Sequence, residues 1–465
     1  MAPKNRHRTY SAKGGSFFRN FFLSLLFMIL AGAVVSAVIL FETKPPALTI
    51  DKDILSVGNK TELPITVRDD QSGIRSVDVH LEQKNATSQL FHRSFKRQSW
   101  FTKAGPGTRQ DTVVIMIDKA RFKDGEAQLV ITARDFSLMH MFRGNETRQV
   151  IPITIDTRAP KISITHAQRY IRSGGSGIVI YRLSEAAVEH GVTVNDHFFP
   201  GFLIEGSNKH FIAYIALPWN SSRPTICQVR ALDASGNESK AEFAMNFKKI
   251  LPKNDRINVS QNFLRKKIPE FEQHYPIIEG KLFDKYLYIN KTVRLEDNKA
   301  IKKICANPEK MRMWKGRFTR MPGANMAGFA DQRTYYFKEK PVDHQTHLGI
   351  DLASTARAEV RAANDGKVVF SAYQGIYGNT VIIDHGQGVF SLYAHLSRID
   401  CAAGDLVKKE EVIGRTGTTG MAGGDHLHFS MLVHGIFVTP VEWWDQHWIT
   451  ANIEGFMSTR DMLHN

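Results

Sequence analysis

Cysteine is scarce in this chain of 465 residues. Cys227, Cys305 and Cys401 lie far apart, and no CxxC pair occurs. Because paired cysteines are the usual signature of thiolate zinc sites and redox motifs, we expect neither. The odd number of cysteines also argues against a disulfide framework. We therefore predict that most of the three are buried free thiols.

Acidic residues are fewer than basic ones, 46 against 61, so the formal net charge is +15. A net positive charge favours binding to an anionic partner, such as a membrane surface, nucleic acid, or an acidic polymer like the bacterial cell wall. Charge alone does not choose among them. The shares of hydrophobic residues, 42%, and charged residues, 23%, are ordinary and exclude wholesale disorder. The length predicts about two to four domains.

Long apolar runs are absent except between Phe21 and Phe41, a stretch without charged residues. About 20 such residues cross a bilayer as a helix. Basic residues in the segment 1–20 keep that end in the cytoplasm by the positive-inside rule. We therefore predict a cytoplasmic basic tail, a single-pass anchor at 21–41 in a bacterial inner membrane, and an exported remainder. A cleaved signal peptide is the alternative, but the apolar run continues past the weak cleavage-like Val35-Ser36-Ala37.

Export makes nucleic acid an improbable explanation of the positive charge, so we expect no nucleic-acid partner.

Short runs of alternating polarity dominate the exported part, for example from Ser76 to Leu81 and from Thr112 to Ile117. Many short strands separated by turn signals are typical of antiparallel β-sandwiches.

A faint repeat divides this strand-rich part. The sequence from Ala133 to Ser137, ARDFS, is similar to ALDAS from Ala231 to Ser235, at a period of about a hundred residues that suits tandem domains. We predict two β-sandwich domains, at 47–156 and 157–250. In pattern they resemble bacterial immunoglobulin-like spacer modules, and they could dock protein partners.

The pattern changes again after residue 250. Ser260 offers a helix cap before Phe263 and Leu264. The stretches from Leu282 to Leu287 and from Lys299 to Cys305 also have helical patterns, and together they predict a small helical connector at 252–310. Strand signals and glycine turns return from residue 314 and predict a β domain at 314–450. The predicted fold class is therefore mainly β, with helices at the N-terminus and in the connector.

Histidine clusters mark the C-terminal domain. They comprise His347 with Asp351, His426 with His428, and His395 in a Tyr-Ala-His-Leu segment. Side chains two or four residues apart on a strand point to the same face. Hydrolytic zinc sites combine three histidine or carboxylate ligands with an open position for water, and a nearby histidine can carry the proton. Each of these pairs alone is weak evidence for a metal site. Their combination, in this order and within a β region interrupted by glycine turns, predicts a zinc site.

Longer motifs surround these residues: HLGIDLA, AANDGKVVF, GNTVIIDHGQGVFSLYAHLS, GDLVKKEEVIGRTGTTG and GDHLHFS. With them, the stretch from about Gly316 to Trp444 resembles the lysostaphin-type, or LytM-like, zinc metallopeptidases. The resemblance implies an antiparallel β peptidase domain. It also implies cleavage of peptide bonds in peptidoglycan by a zinc-activated water.

The resemblance also assigns roles to five residues. It implies that His347, Asp351 and His428 ligate Zn²⁺, and that His395 and His426 assist catalysis. Two minor departures from the family pattern concern neighbouring loops: Glu410 stands where a turn glycine is common, and Ser430 where an acidic residue is common.

The amino-acid sequence leaves three functional questions open. Relatives that lose ligands regulate other wall hydrolases, although all five positions are filled here. The same chemistry would serve a peptidase of non-wall peptides. The resemblance also implies that a segment preceding the zinc ligands can occupy the open zinc position, and Asn325 is a candidate for this, although an ordinary turn residue is the favoured interpretation. His344 and His385 lack a matching pattern and are expected outside the site.

Overall fold

The computed structural model describes four stretches of the chain, which are residues 15–50, 56–100, 102–276 and 279–457. The predicted basic tail, residues 1–20, therefore lies mostly outside the described residues. All three cysteines are free thiols, as predicted, but only Cys305 is fully buried.

The chain divides into two compact units. The first comprises Met1–Ala159 with Ala234–Asn237, and the second comprises Pro160–Asp233 with Glu238–Asn465. The second predicted sandwich thus falls largely in the same unit as the connector and the C-terminal domain. The finer boundaries predicted from the sequence stay predictions.

Helix α1, Gly15–Leu40, opens the first unit. Its segment Phe18–Val38 has a mean hydropathy of 2.6, and none of it is buried against protein. The helix is therefore long and apolar enough to cross a bilayer. A membrane anchor and a signal sequence share this property.

Strands form the rest of the first unit. Their bounds are β1 Ala47–Ile50, β2 Ser56–Val57, β3 Lys60–Arg68, β4 Ile74–Gln83, β5 Ala86–Ser94, β6 Thr108–Met116, β7 Gly125–Asp135 and β8 Glu146–Ile155, with a short helical turn α2, Met139–Phe142. They build a sheet in the order β1-β3-β6 and another in the order β2-β8-β7-β4-β5. Alternate residues of β3 point inward, because Leu63, Ile65 and Val67 belong to one hydrophobic core.

The second unit begins with short strands. Their bounds are β9 Ile162–Ala167, β10 Tyr170–Arg172, β11 Ser176–Leu183, β12 Glu189–Val194, β13 His197–Pro200, β14 Phe202–Leu203, β15 His210–Ala216, β16 Cys227–Leu232, β17 Glu238–Glu242 and β18 Asn246–Lys248. They form four-stranded sheets in the orders β14-β15-β11-β9 and β13-β12-β16-β17, and β10 pairs with β18. β11 and β15 are buried along almost their whole length, since a shared core covers them.

The connector follows strand β19, Asn254–Asn258. Ser260 caps α3, Gln261–His274, as predicted, and its hydroxyl accepts a hydrogen bond from the Phe263 amide at 3.1 Å. Helix α4, Leu282–Tyr288, runs through a π-helical turn, Ile289–Val293, into α5, Arg294–Ile304. Leu264, Ile268 and Phe271 of α3 anchor these helices in a core shared with the following β domain.

The C-terminal domain is built mainly on one sheet, in the order β20-β23-β31-β27-β26-β25-β29, with β32 paired to β31. The strand bounds are β20 Ala324–Ala327, β21 Gln332–Phe337, β22 Lys340–Thr346, β23 Ile350–Ala353, β24 Glu359–Arg361, β25 Gly366–Gln374, β26 Gly378–Asp384, β27 Val389–Ala394, β28 Arg398–Ile399, β29 Leu406–Val407, β30 Val412–Arg415, β31 Leu427–Val433 and β32 Ile436–Val438. Smaller sheets join β19-β21-β22 and β24-β30-β28. Helices α6, Pro440–Trp444, and α7, Gln446–Asn452, follow. The sequence prediction of a mainly β chain with helices near the N-terminus and in the connector is confirmed, whereas α6 and α7 form a further helical region that was not predicted.

Candidate active site

Strand pairing brings Asp351 and His428 together. β23 lies antiparallel to β31, and Asp351 is the direct partner of His428 in their register. Asp351 Oδ1 lies 2.9 Å from His428 Nδ1. A central strand pair is a rigid support, so the two side chains need no loop to meet.

His347 completes the group from just beyond the end of β22. Its Nε2 lies 2.9 Å from Asp351 Oδ1 and 2.9 Å from His428 Nδ1. Its Nδ1 donates to the Gly328 carbonyl oxygen at 2.8 Å, which fixes the ring and leaves the lone pair of Nε2 free to bind a metal. The three residues predicted as metal ligands thus direct two imidazole nitrogens and one carboxylate oxygen toward a common point.

This donor set fits zinc. Two imidazoles and a carboxylate are a usual set in catalytic zinc sites, and ligands at about 2.0–2.2 Å from one ion must lie within about 4 Å of each other. All three residues are buried. Burial lowers the pKa of His428 to about 4, so this ring is neutral and has a lone pair for a metal. Burial opposes it, but the electrostatic and hydrogen-bonding interactions with His347 hold the pKa of Asp351 well below its usual value.

A glycine allows this close packing. The chain does not run as one extended strand from His347 to Asp351, as the spacing suggested, but bends between β22 and β23. A Cβ at Gly349 would lie 2.6 Å from His428 Nε2 and 2.6 Å from Ser430 Oγ. Any other residue here would displace His428, which explains the glycine within the HLGID motif.

His395 and His426, the two predicted proton carriers, lie beside this group. Their ring centroids are 4.9 Å apart, and the His395 ring is 5.7 Å from that of His428. His395 Nδ1 donates to the Thr419 carbonyl oxygen at 2.9 Å, and His426 Nδ1 donates to the Gly424 carbonyl oxygen at 2.8 Å. In both rings Nε2 is therefore the atom left for proton exchange.

The two rings differ in electrostatics and backbone. Burial lowers the pKa of His395 well below its usual value. Burial acts the same way on His426, but a hydrogen bond and the charge of Asp351 outweigh it and raise the pKa of His426. His395 also has a φ of 64°, which is uncommon for residues other than glycine and concentrates at functional sites.

Two side chains that the sequence patterns did not single out as site residues support the group. Arg333 donates to Asp351 Oδ2 at 2.9 Å, opposite the oxygen that faces the histidines. Ser430 lies 3.1 Å from His428 Nε2 and donates to the Leu348 carbonyl oxygen at 2.8 Å. Arg333 is outside every quoted motif, and no spacing signal marks it. Ser430 stood in the sequence only as a departure from the family pattern.

A groove opens over the five residues and encloses a cavity of about 300 Å³. The connector forms part of its wall through Phe263, Tyr286, Arg294 and Asn298. The Tyr377 hydroxyl donates to Asn298 Oδ1 at 2.9 Å, and the Tyr377 ring lies 5.5 Å from that of His428. The predicted connector is thus part of the groove, a role that its sequence did not indicate.

The other histidines and the asparagine considered in the sequence analysis lie outside the five-residue group. His344 is exposed and contacts Thr334, while His385 is buried between the Asp365 carbonyl group and the Ser391 hydroxyl. Asn325 is exposed on β20 and is not among the residues that line the groove. The structure therefore gives no support to occlusion by Asn325.

Comparison with known proteins identifies the C-terminal segment. The family model described as Peptidase family M23 matches residues 345–440. DD-carboxypeptidase/endopeptidase Mpg of Neisseria meningitidis serogroup B is 43% identical over 107 residues, which are 23% of this chain and 25% of that protein. Peptidoglycan DD-endopeptidase ShyC of Vibrio cholerae is 38% identical over 96 residues, 21% of this chain and 22% of that protein. The chain thus spans about a quarter of the length of these curated relatives.

Among solved structures, the catalytic domain of lysostaphin from Staphylococcus simulans is similar. It is 25% identical, with a TM-score of 0.23, and the match covers 26% of this chain and 90% of that one.

Proposed function

Because residues 345–440 belong to peptidase family M23, as the sequence resemblance predicted, we propose that this protein is a zinc-dependent endopeptidase of peptidoglycan. The observation that carries the proposal is the convergence of His347, Asp351 and His428 on one point at the floor of a groove. The matched relatives named as peptidoglycan DD-endopeptidases support the choice of substrate class.

The five residues would have two kinds of role in the reaction, metal binding and proton transfer. His347, Asp351 and His428 would hold the metal, which when bound polarises the peptide carbonyl and lowers the pKa of a water at the site. His395 Nε2, on a neutral ring, is placed to accept a proton from the attacking water. His426, whose pKa is raised beside Asp351, is placed to hold a proton and donate it to the leaving amine.

The other parts of the chain would deliver this domain to its substrate. We propose that α1 anchors the protein in a bacterial inner membrane, which places the groove on the outer side of that membrane, where peptidoglycan lies. The strand-rich regions 47–156 and 157–250 would be tandem immunoglobulin-like modules that act as spacers or dock partner proteins.

Wall digestion tests the proposal. The zinc-loaded full chain should release peptide-cleaved fragments from purified peptidoglycan, detected by mass analysis. His428→Ala should lower this release by roughly 1000-fold, because several kcal/mol of transition-state stabilisation depend on the metal. His344→Ala, which removes an exposed histidine outside the groove, should digest the wall like the parent chain.

Three results would contradict the proposal. Release of no wall fragment by zinc-loaded protein favours a regulator of other hydrolases. Equal release by His428→Ala excludes the assigned metal ligands. Cleavage of a panel of soluble peptides in preference to wall assigns the same chemistry to another substrate.

A further inference from the structure

A second group of acidic side chains lies far from the groove in sequence, in the first unit. Glu42, Asp69 and Asp135 each offer a carboxylate oxygen, and these oxygens lie within 4.8 Å of one another. The residues are 5%, 4% and 0% exposed. Buried carboxylates are rare unless a partner compensates their charge, so this cluster requires an explanation.

Hydrogen bonds satisfy only part of the cluster. Glu42 Oε2 accepts from the Ser72 amide at 2.5 Å, and Asp69 Oδ1 accepts from the Gly73 amide at 2.8 Å. Asp135 Oδ1 accepts from the Asn145 amide at 2.7 Å. These bonds fix the positions of the carboxylates, but they come from neutral groups and leave the negative charge in place.

Two buried oxygen atoms at the cluster have no hydrogen-bond partner among the residues that the structure describes. They are Asp69 Oδ2 and the hydroxyl of Ser72, a residue that is only 1% exposed. The Ser72 amide donates to Glu42 Oε2, which places the Ser72 side chain beside Glu42. A buried oxygen without a donor is costly, and both atoms are free to coordinate a cation.

A compensating side-chain cation is also missing. Within the described residues, Glu42, Asp69 and Asp135 form no ion pair with lysine, arginine or histidine. Burial and then the charge of Asp69 raise the pKa of Glu42 to about 7. Burial likewise raises the pKa of Asp135. The fold thus collects negative charge at one buried point, which either a bound cation or a proton must offset.

We propose that Glu42, Asp69, Asp135 and the Ser72 hydroxyl form a binding site for a calcium ion. All four donors are oxygen atoms, and hard divalent cations prefer carboxylate and hydroxyl oxygen. Calcium accepts irregular sets of oxygen ligands, whereas magnesium demands octahedral geometry and retains its waters. Transition metals prefer the imidazole set of the groove, so the two sites would take different ions.

The site joins three segments that are distant in the chain. Glu42 follows helix α1, Asp69 and Ser72 lie in the turn between β3 and β4, and Asp135 ends β7. The Ser137 hydroxyl and the Asn145 amide group donate to the Glu42 carbonyl oxygen at 2.8 and 2.9 Å, so the same turns already hold this segment. A calcium ion would fasten the start of the β unit to the end of the apolar helix.

Calcium titration of the full chain in detergent tests this site. The chain is first loaded with zinc and freed of calcium with a calcium-selective chelator; calcium chloride is then added and followed by calorimetry. We expect one calcium ion per chain and a rise of about 5 °C in the unfolding temperature of the first unit at ten times the Kd. Glu42→Gln and Asp69→Asn should each weaken calcium binding at least tenfold.

Asp70→Asn is the matched control, because Asp70 is adjacent but exposed and paired with Arg68. It should bind calcium as the parent chain does. If Glu42→Gln does not fold, Asp69→Asn alone decides. No binding at 10 mM calcium (a concentration above the ~10⁻³ M Kd of weak extracellular sites) overturns the proposal. So does unchanged binding in both variants. Stabilisation of the first unit by acid but not by calcium would show that a proton occupies the cluster, which also overturns it.

Discussion

Arg333 determines how Asp351 is held. Its guanidinium donates to Asp351 Oδ2 at 2.9 Å, so Oδ1 alone is left to face His347 and His428. The Arg333 side chain is largely buried, and its positive charge helps to keep Asp351 ionised. Groups that orient a metal ligand in this way commonly contribute as much as tenfold to hundredfold in metal affinity.

Replacing Arg333 should therefore weaken the metal site. We expect Arg333→Ala to lower zinc affinity by about 10- to 100-fold, measured by competition with a chelator of known affinity. Arg357→Ala is the control, because Arg357 is exposed and does not contact Asp351. Zinc binding by Arg333→Ala equal to that of the parent chain would show that Asp351 does not depend on this contact.

At the residue scale, the motifs identified side chains that lie together in the structure, while their roles as metal ligands and proton carriers stay predictions. The five positions His347, Asp351, His395, His426 and His428 do meet in the structure. Their local spacing on adjoining strands carries this information. Arg333 approaches from a different sheet, through a contact that only the tertiary fold creates. Nothing in its neighbouring sequence marks it.

Helix α3 supports the loop behind His395. Lys267 Nζ donates to the Thr418 carbonyl oxygen, and Glu270 accepts from the Gly420 amide at 2.5 Å. Between them lies Thr419, whose carbonyl oxygen accepts from His395. The connector therefore orients one of the proposed proton carriers as well as forming a wall of the groove.

Helix α5 holds a second loop that lines the groove. Asp297 accepts from the Ile376 amide and from the Gln374 side chain, both at 2.8 Å. A Cβ at Gly375 would lie 2.1 Å from Asp297 Oδ2, so only glycine permits this contact. The 3₁₀ turn Gly375–Tyr377 places the Tyr377 ring beside His428.

The buried carboxyl of Asp297 should make stability depend on pH. Burial raises its pKa in the folded chain from 3.8 to about 6. Because the folded state binds the proton more tightly, this group stabilises the fold below about pH 4. That contribution is lost as the pH rises through 6. Between pH 4 and 7 the parent chain should lose up to about 3 kcal/mol relative to Asp297→Asn, measured by denaturant unfolding.

Glu205→Gln is the control for this experiment, since Glu205 is an exposed acidic residue of the same unit and is not among the groups that raise the pKa of Asp297. It should keep the pH dependence of the parent chain. Identical pH profiles for the parent chain and Asp297→Asn would assign the loss of stability to other groups.

At the scale of elements, the pattern predicted helices after Ser260, at Leu282 and near Lys299, and each is present. The sequence did not indicate that the last two form one continuous segment through a π-helical turn. Such a turn depends on packing, since Ile289, Asn290 and Val293 are all buried. Periodicity marks a helix but does not reveal the surface against which it packs.

One contact in the second unit joins its first strands to the C-terminal domain. Glu442 of α6 accepts from Arg172 Nε at 2.8 Å and from the Ser176 amide at 3.1 Å. The neighbouring Trp443 donates to the Ser176 hydroxyl at 3.1 Å. One hydrophobic cluster contains Tyr214 and Trp314, so the core is continuous across this contact.

Breaking this contact should destabilise the unit without altering the groove. Glu442→Ala leaves Arg172 and Ser176 without their acceptor, and we expect a loss of about 2–4 kcal/mol in the free energy of unfolding. Zinc content and wall digestion should be unchanged at low temperature. Glu238→Ala, which removes an exposed carboxylate from a surface pair, should cost less than about 1 kcal/mol. A loss in Glu442→Ala no larger than that of Glu238→Ala would show that the contact adds little.

This continuous core was not predictable from the sequence. Strand patterns and the faint repeat indicate where β regions begin, and they predicted independent modules with a boundary near residue 250. Apolar residues on outward faces of two modules look the same in sequence as ordinary core residues. Only the structure shows that those of β15 pack on Trp314.

The dimensions of the groove also restrict what can be cut. A cavity of about 300 Å³ lies at the low end for ligand sites, enough for a short length of extended peptide. Phe263 and Tyr286 of the connector line the same groove as the histidines, so a substrate that reaches His428 must also fit beside the connector helices. If the proposed function holds, a groove of this size would admit a loose peptide strand more readily than a compact domain, so the enzyme could act beside folded proteins without cutting them.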